Sequence, residues 1–176
     1  MADRNILERA ARVKVFVVDI DGVMTDGRII YSGYGDELRF FDVQDGFGIT
    51  LLNRAGIKTV IVTAGKSKIV KHRARDLKVT KTYHGFMNKI EPFNDLLKHF
   101  KVTPEEVCFM GDDLIDIPIL KRVGFAVAVS NAVDDAKKAA HHITASKGGR
   151  GAVREICDLI LKSQGKWDLV TSKYFE

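Results

Sequence analysis

The chain has 176 residues, 45% of them hydrophobic, which is enough for one domain with a sizeable core and too apolar for a disordered chain. Its formal net charge is +5, but the basic residues are scattered rather than interleaved with aromatics, which argues against a nucleic-acid partner and for a basic solvated surface or a pocket for an anionic metabolite. No apolar run reaches membrane-spanning length, no signal-peptide pattern opens the chain, and the two cysteines, Cys108 and Cys157, fall in apolar stretches, so a cytoplasmic protein with no membrane partner is expected.

Residues 15–18, Val-Phe-Val-Val, read as a buried parallel strand. Asp19-Ile20-Asp21-Gly22 follows, and Gly22 allows a sharp turn. Two carboxylates at a strand's carboxyl end lie where open α/β sheets bind ligands; they can hold Mg2+, and one can attack phosphorus. The plainer reading is a solvated turn. Residues 28–31 and 37–41 flank Ser32-Gly33-Tyr34-Gly35-Asp36 and predict a β-hairpin over 28–41. It carries more apolar side chains than a lone hairpin can bury, so it is expected to pack on another subunit, or else to fold back on its own domain.

Gly56 falls where a helix would end, and residues 59–62 form a second apolar strand that ends on Thr63, a hydroxyl able to donate to a phosphate oxygen. Lys89 stands at the start of a helix over 88–100, whose Ile90, Phe93, Leu97 and Phe100 share one face. Thr103, Pro104 and Glu106 fit a capped helix start. A third strand, 107–110, runs into Gly111-Asp112-Asp113-Leu114-Ile115-Asp116, which places three acids at a strand end. Gly124 fits a helix end, 125–129 a fourth strand, and Val153, Ile156, Cys157, Ile160 and Leu161 the apolar stripe of a last helix. This alternation predicts an α/β fold, a doubly wound parallel sheet in one domain over 1–176. Individually, Thr63 could be a cap, Lys89 a solvated helix residue, and the acid cluster a helix start; together, each at a strand end or helix start, they indicate phosphoryl chemistry. Other motifs fail: Gly65-Lys66-Ser67 lacks the P-loop glycine at position 60, and His141-His142 lacks a third ligand at suitable spacing.

The order Asp-x-Asp-Gly-Val, Thr, Lys, Gly-Asp-Asp-x-x-Asp resembles the haloacid dehalogenase superfamily. Residues 42–48 (Asp-Val-Gln-Asp-Gly-Phe-Gly), 111–116 and 148–155 (Gly-Gly-Arg-Gly-Ala-Val-Arg-Glu) resemble more narrowly the 3-deoxy-D-manno-octulosonate 8-phosphate phosphatases, a likeness spanning about 13–168. The resemblance implies a Rossmann-like fold and a phosphatase acting in lipopolysaccharide precursor synthesis. It makes Asp19 the nucleophile and Asp21 the general acid and base, with Thr63 and Lys89 on the phosphoryl group. Mg2+ would be held by Asp19, the Asp21 carbonyl and Asp112, with Asp113 and Asp116 as supporting groups. Asp42, Val43, Gln44, Asp45, Gly46 and Arg73 would contact the sugar acid. Where relatives often carry arginine, this chain has Thr50 and Gly65, which leaves a nine-carbon keto-sugar acid 9-phosphate open as substrate. The short intervals before Thr63 and Lys89 leave no space for a cap domain, so the resemblance implies a homotetramer whose hairpins associate and whose active sites are shared. Residues 148–151 and the tail through Trp167 are expected to shape the pocket. A non-catalytic oligomerisation module is the reading different in kind, and the intact acid set argues against it.

Overall fold

A computed structural model describes residues 4–176, so the first three residues of the expected 1–176 domain lie outside the described residues. The strands are β1 (Val15–Val18), β2 (Ile30–Tyr31), β3 (Glu37–Leu38), β4 (Lys58–Thr63), β5 (Lys81–His84), β6 (Val107–Gly111), β7 (Phe125–Ala128) and β8 (His142–Ile143). The helices are α1 (Arg4–Ala11), α2 (Val43–Arg54), α3 (Lys68–Asp76), α4 (Ile90–Phe100), α5 (Ile117–Leu120), α6 (Asp134–Ala139), α7 (Ala152–Ser163) and α8 (Trp167–Thr171).

Six strands form one sheet in the order β5-β4-β1-β6-β7-β8, every neighbouring pair parallel. β1, β6 and β7 are buried along their whole length, as their unbroken apolar runs require in a sheet covered on both faces. The chain leaves β1, builds outward through β4 and β5, and then returns to the other side of β1 at β6. β1 is therefore the point where the winding reverses, and the crevice at its carboxyl end is where such sheets bind ligands. Helices α1, α2 and α7 pack together, as do α4, α5 and α6.

Local signals explain the helix starts. Asp42 caps α2 by accepting the Gln44 and Asp45 amides at 2.6 and 3.2 Å, and Ser67 caps α3 through the Ile69 amide at 3.2 Å. The predicted stripe of α7 (Val153, Ile156, Cys157, Ile160 and Leu161) is wholly buried. On α4, Phe93 is buried while Ile90, Leu97 and Phe100 are partly buried against the core.

Two local expectations are corrected, those for Gly124 and for the length of the hairpin. Gly124 does not end a helix in the left-handed region: its amide donates to the Pro104 carbonyl at 2.7 Å, and a Cβ there would lie 2.3 Å from the Glu105 carbonyl oxygen. Close backbone approach, not a turn, selects that glycine. Thr103, Pro104 and Glu106 form the expected capping box with proline in the first turn, on a single 3₁₀ turn that leads into β6. The hairpin is shorter than 28–41 suggests, with only Ile30 opposite Leu38 and Tyr31 opposite Glu37 in register.

The joint between α2 and α7 passes through Gly48, where an added Cβ would meet Cys157 Cβ at 3.0 Å and Arg154 Cα at 3.2 Å. Gly48→Leu is expected to force the helices apart and destabilise the fold by about 1–3 kcal/mol, read as a lower urea midpoint. An unchanged midpoint would show that the joint can yield without cost.

Candidate active site

Every predicted chemical residue of the central strands reaches one edge of the sheet. Asp19 follows β1 in extended conformation, its amide bonded to the Met110 carbonyl at 3.1 Å. The chain then turns tightly over 20–24, with Gly22 at φ 91°. Thr25 fastens this turn: its hydroxyl oxygen accepts the Gly22 and Gly27 amides at 3.3 and 3.2 Å, and its proton goes to the Ile20 carbonyl at 3.3 Å. Thr63 ends β4 and accepts the Gly65 amide at 3.2 Å. Asp112 follows β6, and Lys89 immediately precedes α4.

Lys89 is the centre of the arrangement. Its side chain is 0% exposed, with Nζ 2.9 Å from Asp19 Oδ1 and 2.6 Å from Asp116 Oδ1. Asp116 Oδ2 accepts the amides of Asp112 and Asp113 at 2.9 and 3.2 Å, so this carboxylate is committed to the lysine and to the backbone carrying Asp112. The two acids expected to act together are thus separated. Asp116 is inside, whereas the exposed Asp113 bonds the Leu114 amide at 2.6 Å as the cap of a short 3₁₀ turn.

Carboxylate oxygens of Asp19, Asp112 and Asp116 lie within 4.8 Å of one another. Burial pushes the Asp19 carboxyl well above its usual range, with Lys89 working against the shift and Asp116 adding to it. Burial also raises Asp112, to about 8, reinforced by Asp19, Asp116 and Asp113. Burial opposes the Lys89 ammonium, but the neighbouring Asp19 and Asp116 carboxylates more than offset this and raise its pKa. Asp112 Oδ1 is buried without a hydrogen-bond partner. Three crowded carboxylates, one ammonium and an orphaned carboxylate oxygen make a donor set that a hard divalent cation fits. With Asp116 engaged, Asp19 and Asp112 are the side chains left to hold it.

Next to the acids is a cavity of about 510 Å³ lined by Asp26, Phe40, Phe41, Asp42, Val43, Gln44, Gly149 and Arg150. The glycine-rich loop that walls it rests on the acid turn: a Cβ on Gly148 would lie 1.7 Å from the Gly22 carbonyl oxygen. Asp42, Val43 and Gln44 line the cavity, whereas the other residues expected to contact the sugar do not. Asp45 is turned inward and accepts the Gly151 and Arg154 amides at 3.3 and 2.8 Å, tying α2 to the start of α7, and burial raises its carboxyl to about 6. Gly46 provides room for Arg73, whose Nη2 bonds the Asp42 carbonyl at 3.1 Å while its guanidinium lies 5.4 Å from the Phe41 ring centre. Arg73 therefore braces the loop from behind. In the single chain the tail packs away from the cavity. Trp167 lies against Lys162, and Tyr174 stacks edge-on to Phe47 of α2 at 5.6 Å, so neither lines the cavity.

One polar residue at the site was missed from the sequence. Arg39, just beyond β3, has a side chain only 3% exposed and bonds Asp21 through Nε to Oδ1 at 2.7 Å and Nη2 to Oδ2 at 3.3 Å. Its signal was the period of two: Leu38 and Phe40 face outward, so the residue between them faces inward. His84 ends β5 in register with Thr63, its Nδ1 buried without a partner.

Comparison with known proteins fits this geometry. Residues 67–156 match the family model of haloacid dehalogenase-like hydrolases. The chain is 42% identical over 167 residues to 3-deoxy-D-manno-octulosonate 8-phosphate phosphatase KdsC of Yersinia pestis, covering 95% of this chain and 89% of that protein. It superposes with TM-score 0.95 and 35% identity on the enzyme of that name from Moraxella catarrhalis, crystallised with magnesium, phosphate and KDO, over 98% of this chain and 99% of the other. The cobalt-bound deoxy-D-mannose-octulosonate 8-phosphate phosphatase of Haemophilus influenzae gives TM-score 0.89 and 34% identity, over 95% and 98% of the two chains. With its sheet, its acid edge and these relatives in agreement, the chain belongs to the 3-deoxy-D-manno-octulosonate 8-phosphate phosphatase family of the haloacid dehalogenase-like hydrolases.

Proposed function

We propose that the chain is a Mg2+-dependent phosphatase that hydrolyses 3-deoxy-D-manno-octulosonate 8-phosphate at the carboxyl edge of its sheet, in lipopolysaccharide precursor synthesis. The observation that carries this reading is the wholly buried Lys89 between Asp19 and Asp116, beside Asp112. An ammonium so placed can meet the oxygens of a transferring phosphoryl group and favours the ionised form of Asp19 against the burial that opposes it.

Asp19 attacks phosphorus, and the sugar oxygen leaves with a proton from Asp21. Water then attacks the aspartyl-phosphate, Asp21 takes a proton from it, and Asp19 is released with phosphate. Lys89 and the Thr63 hydroxyl bind the equatorial oxygens, whose charge must be balanced as the bonds change. Asp19, Asp112 and the Asp21 carbonyl hold Mg2+, which supplies electrophilic stabilisation of the phosphoryl oxygens. Asp116 holds Lys89, and the sugar acid occupies the cavity walled by Asp42, Val43, Gln44 and Arg150.

The whole chain acts as one catalytic domain, and only the hairpin, two helices and two strands occupy the interval from Asp19 to Lys89. Cover for the site comes from other copies of the chain in a homotetramer assembled through the hairpin. In support, Tyr31, Tyr34, Leu38 and Phe40 are all more than half exposed in the single chain. A cytoplasmic location agrees with two free buried cysteines and with the absence, among the described residues, of any helix long and apolar enough to cross a membrane.

Purified protein with Mg2+ is expected to release phosphate from the 8-phosphate sugar acid, and Asp19→Asn to lose at least about 10³-fold in kcat, because an amide cannot supply the attacking oxygen. Substantial turnover by pure Asp19→Asn protein would refute the assignment of the nucleophile.

A second expectation concerns the ion. The raised Asp19 and Asp112 pKa values mean that the metal-free native state binds protons that the unfolded chain has released. Stability in metal-free buffer therefore falls as pH rises from the ordinary carboxylate range through about 8. Mg2+ binds the ionised forms, so the Tm increase it causes should be larger at about pH 8.5 than at about pH 6. Equal increases at the two pH values would mean that these carboxylates are already ionised at about pH 6 or do not hold the ion.

A further inference from the structure

We infer that Arg39 is a positioning residue for Asp21, aiming the proton-transfer carboxylate from the hairpin. The inference rests on the role given to Asp21 above. The Arg39 fork meets Asp21 side-on, Nε to Oδ1 at 2.7 Å and Nη2 to Oδ2 at 3.3 Å, which fixes the plane of the carboxylate. Each carboxylate oxygen has two acceptor directions, so the paired edge still leaves an outer position for the proton that is donated to the leaving-group oxygen and later taken from water.

The guanidinium is itself held. Its Nη1 is ion-paired with Glu37 of β3 but makes no hydrogen bond, and its side chain is 3% exposed, against 30% for Asp21 and 25% for Glu37. The order Asp21–Arg39–Glu37 runs from the acid turn to the strand of the hairpin, whose other face is apolar and exposed. Gly65 makes the space: a Cβ at that position would lie 3.7 Å from Arg39 Nη2 and 3.6 Å from Asp21 Oδ2, so any longer side chain there competes for the same ground. A structural brace alone would need no bidentate alignment on a half-buried catalytic carboxylate when Glu37 is already within reach. The placement of the hairpin is thereby linked to the direction in which Asp21 transfers its proton.

The test separates positioning from folding by the leaving group. An alkyl phosphate such as the sugar-acid 8-phosphate needs a proton on its departing oxygen, whereas p-nitrophenyl phosphate does not, so first-turnover leaving-group release is compared for the two. Arg39→Met is expected to slow release from the alkyl phosphate by about 10²-fold, with KM changed far less, and release from the aryl phosphate by only a few-fold. Arg39→Lys, which keeps the charge but not the fork, should fall between and provides the readout if the Met variant melts early. Equal losses on both substrates, or no loss on the alkyl one, would overturn the inference. Asp21→Asn, measured alongside, keeps the two ideas apart. If it slows both substrates equally, the assignment of Asp21 fails; if it discriminates while the Arg39 variants do not, only the positioning role fails.

Discussion

A lysine ammonium buried completely between two carboxylates is the constraint on which this site depends. Removing such a charge from water costs several kcal/mol, and only close, well-directed partners offset it. Lys89 has Asp19 at 2.9 Å and Asp116 at 2.6 Å. Each partner is fixed in turn, Asp19 by the β1–β6 ladder and Asp116 by two backbone amides of the segment it supports. With all groups ionised, the three carboxylates and the ammonium leave two formal negative charges, which a divalent cation balances. The same burial that makes the site costly to assemble also makes it effective. In a water-poor crevice, charges aimed at a phosphoryl group act far more strongly than they would on an open surface.

The fold solves the assembly problem by topology. Parallel winding that reverses at β1 brings the ends of β4, β1 and β6 together without any long-range design in the loops. The loops then lock to one another. Thr25 closes the acid turn, Gly148 lies against the Gly22 carbonyl, and Asp45 fastens α2 to α7 beneath the cavity wall. What the single chain does not supply is a roof. In the proposed homotetramer, the hairpin, with aromatics turned outward and Arg39 turned inward to Asp21, is the element through which association and chemistry at the acid turn would communicate.

Much of this was legible in the sequence because the signals were strong and local. Short unbroken apolar runs between turn signals read as buried strands, and acids, a hydroxyl and a lysine at their ends or at helix starts mark the crevice. The residues that sequence reasoning placed less well are those whose partners lie far along the chain. Asp45 belongs to a loop expected to touch substrate, yet its bonds go to residues more than a hundred positions away. Arg73 is a basic residue near the pocket, yet it lies behind the loop, its Nη2 on the Asp42 carbonyl, and does not line the cavity. Asp113 and Asp116 are alike in composition, and only the 3₁₀ turn between them decides which points inward. Arg39 was hidden because an arginine between apolar residues of a hairpin looks like a solubilising residue until alternation is used to turn it inward.

The central claim is that phosphorus is transferred to Asp19. Its most direct test is a single turnover with excess wild-type enzyme and Mg2+, quenched in acid, reduced with borohydride and digested for peptide mass spectrometry. Transient acyl phosphate is expected on the peptide spanning β1, with residue 19 recovered as homoserine. Complete conversion of substrate with no trapped intermediate at any time, or with reduction at a residue other than Asp19, would contradict it.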